Sequence, residues 1–203
     1  MSRYFFLIAL IIILSSCSGS PAPSLDLTVS DAVSNWTSGA AALDARFYAD
    51  KEASVVSGKI SATGSFSATL DSSLEASLLE PVASCEGLKV SSEALEMNQF
   101  SAFTVSREGE DLGLIAQVSS AEVMKDGLTT VGDYYVQYIY ASSAASVQGD
   151  CPLGGVPGIF RFNLSLKKGW NIALFSLVAK EQGVQTLELA TSPVPAGAIW
   201  LFK

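Results

Sequence analysis

The stretch Phe160-Arg161-Phe162-Asn163-Leu164-Ser165-Leu166 sets an apolar side chain at every second residue, with a polar one between. Successive side chains of a strand point to opposite faces, so this spacing gives one buried face and one wet face. A helix would scatter the same residues around its circumference. The pattern recurs upstream. Phe66, Ala68 and Leu70 alternate with Ser65, Ser67 and Thr69, and Leu43, Ala45 and Phe47 alternate with Asp44, Arg46 and Tyr48. Three other runs are apolar on both sides: Leu112 to Val118, Tyr134 to Ala141 and Asn171 to Ala179. These are expected to sit centrally, covered on both faces.

Turn residues separate the runs. Arg107-Glu108-Gly109-Glu110-Asp111 and Lys167-Lys168-Gly169 each read as a hairpin, and Pro152 to Gly158 reads as a longer loop. Ala198 to Phe202 makes a last strand. Helical signals are short: Ser72-x-x-Glu75 has the form of a capping box opening a turn or two through Leu74, Leu78 and Leu79, which Pro81 would end. Ser92 to Met97 is a second candidate. Many short strands with regular turns, and one or two short helices, predict an all-β domain, a β-sandwich or a related barrel, over residues 25–203.

The N-terminus has a different character. Met1 to Arg3 carries one positive charge, Tyr4 to Leu14 is an unbroken apolar run, and Ser15, Ser16 and Cys17 follow. A basic start, a short apolar stretch and small residues form a secretory signal. The run is shorter than the roughly 17–25 residues a membrane-spanning helix needs. Leu14-Ser15-Ser16-Cys17 resembles the lipobox of bacterial lipoproteins. That resemblance implies cleavage of a signal at residues 1–16, acylation of Cys17 as the first mature residue, and a lipid-anchored place in the cell envelope. Ser18 stands where an acidic residue would favour the inner membrane, so the resemblance points to the outer membrane in an organism that has two. Each buried CH₂ contributes about 0.8 kcal/mol, so several acyl chains hold firmly where one would not. Residues 17–24, with Ser-Gly-Ser-Pro-Ala-Pro-Ser from Ser18 to Ser24, read as a tether.

Composition narrows the chemistry. The chain has 203 residues, with 12 Lys plus Arg, 20 Asp plus Glu and no His. The acidic balance argues against nucleic acid, which needs clustered cations, and against a polybasic grip on anionic lipid. Besides Cys17, only Cys85 and Cys151 are present. An even pair in an exported chain fits a disulfide, which closes a long loop and stabilises by about 4 kcal/mol in the chain-entropy model. Without Cys-x-x-Cys or His, neither a redox motif nor a zinc site is expected.

The absence of His also removes the Ser-His and Cys-His relays. Ser165-Leu166-Lys167-Lys168 matches Ser-x-x-Lys, yet it ends a predicted strand and lacks the partner motifs of penicillin-binding enzymes. Glu108, Glu110 and Asp111 cluster at a hairpin tip and read as a solvated turn. Gly154-Gly155 lacks the Gly-Lys-Ser/Thr of a phosphate loop. Tyr134, Tyr138 and Tyr140 share one strand face with Val136, while Tyr135 and Ile139 lie opposite. Such a row either packs into the core with a polar tip or forms a platform for sugar rings or peptides. Trp36, Trp170 and Trp200 read as core or rim residues.

Between Ser54 and Leu70, Gly-Lys-Ile-Ser-Ala followed by Gly-Ser-Phe-Ser-Ala-Thr-Leu is similar to the paired strands of prealbumin-like or immunoglobulin-like modules. It could mark a small N-terminal subdomain over residues 25–80. The reading that unites these features is a lipid-anchored envelope protein with a non-catalytic binding or structural role. It is held to the membrane through Cys17, has an envelope protein or glycan as partner, and needs no cofactor or metal. Three rivals stand beside it. They are a carbohydrate or peptide binder using Tyr134, Tyr138 and Tyr140, a carboxylate-dependent extracytoplasmic hydrolase, and a purely structural component of a surface layer or assembly complex.

Overall fold

Alternation along the chain becomes strand upon strand in the computed structural model, which describes residues 27–45, 47, 54–82, 84–154 and 157–203. The signal at 1–16, the tether at 17–24 and Cys17 lie outside the described residues. Among those described, the strands are β1 (Leu27–Ala32), β2 (Ala41–Asp44), β3 (Val56–Ile60), β4 (Ser65–Leu70), β5 (Glu80–Pro81) and β6 (Lys89–Val90). They continue with β7 (Glu96–Phe100), β8 (Ala102–Arg107), β9 (Glu110–Val118), β10 (Tyr134–Ala141) and β11 (Ala145–Pro152). The last are β12 (Gly158–Leu166), β13 (Gly169–Glu181), β14 (Val184–Thr191) and β15 (Ile199–Phe202). The fold is all-β and sandwich-like, with one 3-10 turn at Ala76–Leu78 and one short helix, α1 (Ala121–Asp126).

The N-terminal layer runs β1-β4-β3-β2-β8-β9, and β15 joins the other edge of β9. A parallel bridge from Val33 to Trp200 brings the end of the first strand back to the last. Asn35 covers part of the edge beyond it: its amide donates to the Phe202 carbonyl at 2.8 Å and accepts from the Phe202 N–H at 2.7 Å. Leu43, Ile60, Phe66, Leu70, Phe103, Ile115 and Trp200 point into this layer and are buried. Trp200 stacks on Phe103 at 5.4 Å and meets Phe66 edge-on at 4.8 Å, geometries that suit the ring quadrupoles. Strands β1 to β4 share this core with Phe103, Ile115, Tyr138 and Trp200, so a boundary near residue 80 separates no independent core.

The C-terminal layer runs β7-β10-β13-β14-β12-β11-β6. It cannot lie flat. β10 and β11 are four strand spacings apart in that order, about 19 Å at the usual separation. The link from Ala141 to Ala145 reaches only about 14 Å fully extended. The sheet therefore curls, and one further hydrogen bond extends the pairing at each of its ends, β6 with β11 and β7 with β10. Ser91 N–H donates to the Ser146 carbonyl at 3.0 Å, and Ser142 N–H donates to the Glu96 carbonyl at 2.9 Å. Ile139, Leu164, Leu166 and Leu189 are buried on the face enclosed by this curl.

β10 belongs to both cores. Its even residues Val136 and Tyr138 pack into the first and its odd residues Ile139 and Ala141 into the second, as the doubly apolar run requires. β9 and β13 are likewise interior strands, each paired on two edges.

Three local expectations need correction. Ser72 to Glu75 forms no capping box: the 3-10 turn that follows has Glu75 at its N-cap without a side-chain bond. Met97 lies on β7, within Ser92 to Met97, because Met97 pairs with Ala141 in the sheet. Lys167 to Gly169 is not a hairpin, since β14 lies between the strands it joins. Buried Asn171 organises that link: its amide accepts from Lys167 N–H and donates to the Lys167 and Gly169 carbonyls, each at 2.8 Å. By contrast, Arg107 to Asp111 is the hairpin expected, with Glu108 and Gly109 at positive φ.

Candidate functional site

Between β7 and β8 a single residue, Ser101, carries the chain from one layer to the other. Phe100 still pairs with Tyr138 of β10, whereas Ala102 already pairs with Ala116 of β9. A bridge between Tyr135 and Val118 closes the corner. Alongside it lies a groove of about 530 Å³, lined among others by Ala102, Thr104, Ala116, Met124, Gln137 and Phe175. That volume falls within the range of small-molecule sites.

The wall at Met124 comes from α1. Ser120 caps the helix, its hydroxyl accepting from Val123 N–H at 3.4 Å, and Gly127 ends it at φ 82. Glu122 occupies the first turn, where its own backbone N–H and the Ser120 hydroxyl hold its carboxyl below the usual range. Val123 and Met124 are buried against Ala116, Val118 and Leu201. The Tyr135 hydroxyl donates to the Val123 carbonyl at 2.6 Å, tying the helix to β10.

Polar groups in this corner are few and unevenly paired. Gln137 is only 6% exposed, and its Oε1 is buried without a hydrogen-bond partner. Gln99 lies opposite Ile139 on β7, on the same sheet face and two positions along from Gln137, and its Oε1 is also unpartnered. An unsatisfied buried acceptor costs about 1–3 kcal/mol, so two side by side are unusual. Lys203 also lines the groove, its ammonium donating to the Lys125 carbonyl at 3.2 Å. No Asp or Glu side chain is among the lining residues, in a chain with net charge −8.

The residues singled out from sequence fall elsewhere. Tyr138 and Tyr140 are 2% and 6% exposed, so they form no platform for sugars or peptides. Tyr138 stacks on Phe100 at 5.2 Å, and burial raises its phenol pKa far above the ordinary value. The Tyr140 hydroxyl donates to the Ser72 carbonyl at 3.4 Å, and Tyr134 is half-buried against the same core. The row faces inward because the N-terminal layer covers that side of β10. Trp36 and Trp200 are buried and Trp170 half-buried, with the Trp36 and Trp170 indole N–H groups donating to the Gly39 and Asp71 carbonyls. Glu108, Glu110 and Asp111 sit exposed at the hairpin tip, and Ser165 lies exposed on β12. Among the described residues, no three His, Cys, Asp or Glu side chains group to hold a metal.

Cys85 and Cys151 are joined in a disulfide, with Cα atoms 5.9 Å apart. It pins the segment between β5 and β6 to the end of β11. The approach beside it is close: a Cβ on Gly149, at φ +135, would lie 2.2 Å from the Gly87 carbonyl oxygen. Next to the bridge, Arg161 holds Asp150 through two bonds at 2.9 and 3.1 Å, keeping that carboxyl below its usual range. The groove itself was not legible in sequence, because its residues come from five strands and a six-residue helix. No protein-family model matches the chain, and no curated protein or solved structure does either.

Proposed function

We propose that the chain is an exported lipoprotein, anchored by lipid on Cys17, whose β body serves as a non-catalytic binding module in the cell envelope. The observation that carries the proposal is Leu14-Ser15-Ser16-Cys17 directly after an eleven-residue apolar run, Tyr4 to Leu14. The Cys85–Cys151 disulfide supports it, since such bridges persist outside the reducing cytoplasm. The groove beside Ser101 supports the binding role: it is concave, largely apolar and carries a few polar groups. Membrane attachment of this kind needs no spanning helix, and among the described residues no helix is long and apolar enough to cross a membrane.

The test is metabolic labelling with a radioactive fatty acid, followed by membrane fractionation. The wild-type chain is expected to take up label and sediment with membranes. Cys17→Ala is expected to lose the label and remain as an uncleaved precursor. Label retained by Cys17→Ala would contradict the anchor.

A further inference from the structure

Residues 84–88 lead into β6 across the end of β11, and three features hold them there. Cys85 is bonded to Cys151. A Cβ on Gly149 would fall 2.2 Å from the Gly87 carbonyl oxygen and 3.1 Å from Leu88 Cα, so the segment rests directly on the strand. Leu88 and Val90 pack on the same core as Phe160 and Phe162. Sheet pairing adds little: Lys89 meets Gln148 and Val90 meets Val147, with β6 the last strand in the order.

The bridge is open to attack. Cys85 and Cys151 are both half-buried, and Cys85 stands between exposed Ser84 and Glu86. Cys151 pairs with Phe160 across β11 and β12, and the Phe160 and Phe162 rings lie 4.4 Å apart. Parting Cys85 from Cys151 therefore loosens the segment beside this aromatic pair. The core below does not depend on it: Ile139, Leu164 and Leu189 are buried on strands that pair without β6.

We infer that residues 84–90 are a redox-released strap: a dithiol reductant opens Cys85–Cys151, the strap lifts, and Phe160 and Phe162 are bared on a body that stays folded. A thiolate of the reductant attacks Cys85 Sγ and forms a mixed disulfide, while Cys151 leaves as a thiolate and takes a proton. The reductant's second thiolate then attacks the reductant's own sulfur in that mixed disulfide, and Cys85 leaves as the second thiol. Two electrons pass to the bridge, and the reductant ends as a disulfide. The strap goes beyond the binding role proposed above and does not need the groove beside Ser101.

Dithiothreitol supplies the dithiol. The full chain in phosphatidylcholine nanodiscs is reduced without denaturant and followed by hydrogen exchange and hydroxyl-radical footprinting. A chain carrying both Cys85→Ser and Cys151→Ser is the counterpart that needs no reductant. Reduction is expected at a rate proportional to dithiol concentration, the mark of attack on the native bridge. In the reduced chain and the variant alike, residues 84–90 are expected to exchange about tenfold faster, with β10, β13 and β14 unchanged. Radicals should oxidise Phe160 and Phe162 more readily, and Phe66 and Trp200 no faster than before. A reduction rate independent of dithiol concentration would mean that the bridge opens only after global unfolding. Unchanged exchange in residues 84–90 would mean that packing alone holds the segment. Faster exchange in both layers, or a variant and a reduced chain that are both unfolded, would mean that the bridge holds the whole body. Each of these results overturns the strap.

Discussion

Around Trp200 the N-terminal layer fits ring against ring, Phe66 and Phe103 included, and a bridge at Val33 draws the sheet back on itself. Around Gln137 the C-terminal layer leaves two amide acceptors unpaired and half-exposed Phe160, Phe162 and Phe175 along the same curl. Both layers are made of the same alternating strands. What differs is the cover: the first layer closes over its core with the shared strand β10, whereas the second curls only over itself and meets the first at a one-residue corner. A sealed core fixes the fold, and the incompletely covered face next to it is free to take a ligand.

The contrast implies unequal sensitivities. Trp200→Ala empties a site that is 2% exposed and is expected to cost about 3–5 kcal/mol, measured by urea unfolding. Phe175→Ala at the groove should cost less than half as much. Similar costs would mean that the two layers are equally sealed. Cys85→Ser comes next, expected to lose about 2–4 kcal/mol in oxidising buffer, read as a lower Tm. Reductant should bring the wild-type chain to the same Tm; an unchanged Tm would show that the bridge braces nothing.

Tyr138 gives the smallest effect at neutral pH. Its phenol pKa is raised by burial, so the group contributes stability below the unfolded value of about 10 and loses it as pH rises toward the folded value. Wild-type stability should therefore fall above about pH 10, and Tyr138→Phe should flatten that fall. Parallel pH profiles for the two proteins would place the alkaline limit elsewhere.

The sequence made the strands readable because burial writes itself as a period of two. Tyr134 to Ala141 was expected to be covered on both faces, and β10 is. The cysteine pair followed from its number and from the export signal, and the bridge is present. Four things were hidden. The helix α1 has a Ser120 cap and a Gly127 stop, but six residues are too few for a period to show. Lys167 to Gly169 has hairpin composition, and only the placement of β14 between its strands reveals otherwise. The tyrosine row could face in or out, and strand periodicity does not say which face meets a second layer. The groove was hidden for the same reason: Gln137 is an unremarkable polar residue until the bend at Ser101 sets it beside Ala102, Met124 and Phe175.

Amide hydrogen exchange, followed by mass spectrometry on the full chain in nanodiscs, tests most directly whether the two layers differ in cover. The expected result is slower exchange in β3, β4 and β8, around buried Phe66 and Phe103, than in β12, where Phe160 and Phe162 are half-exposed. Equal exchange in the two layers, or faster exchange around Phe66, would contradict it.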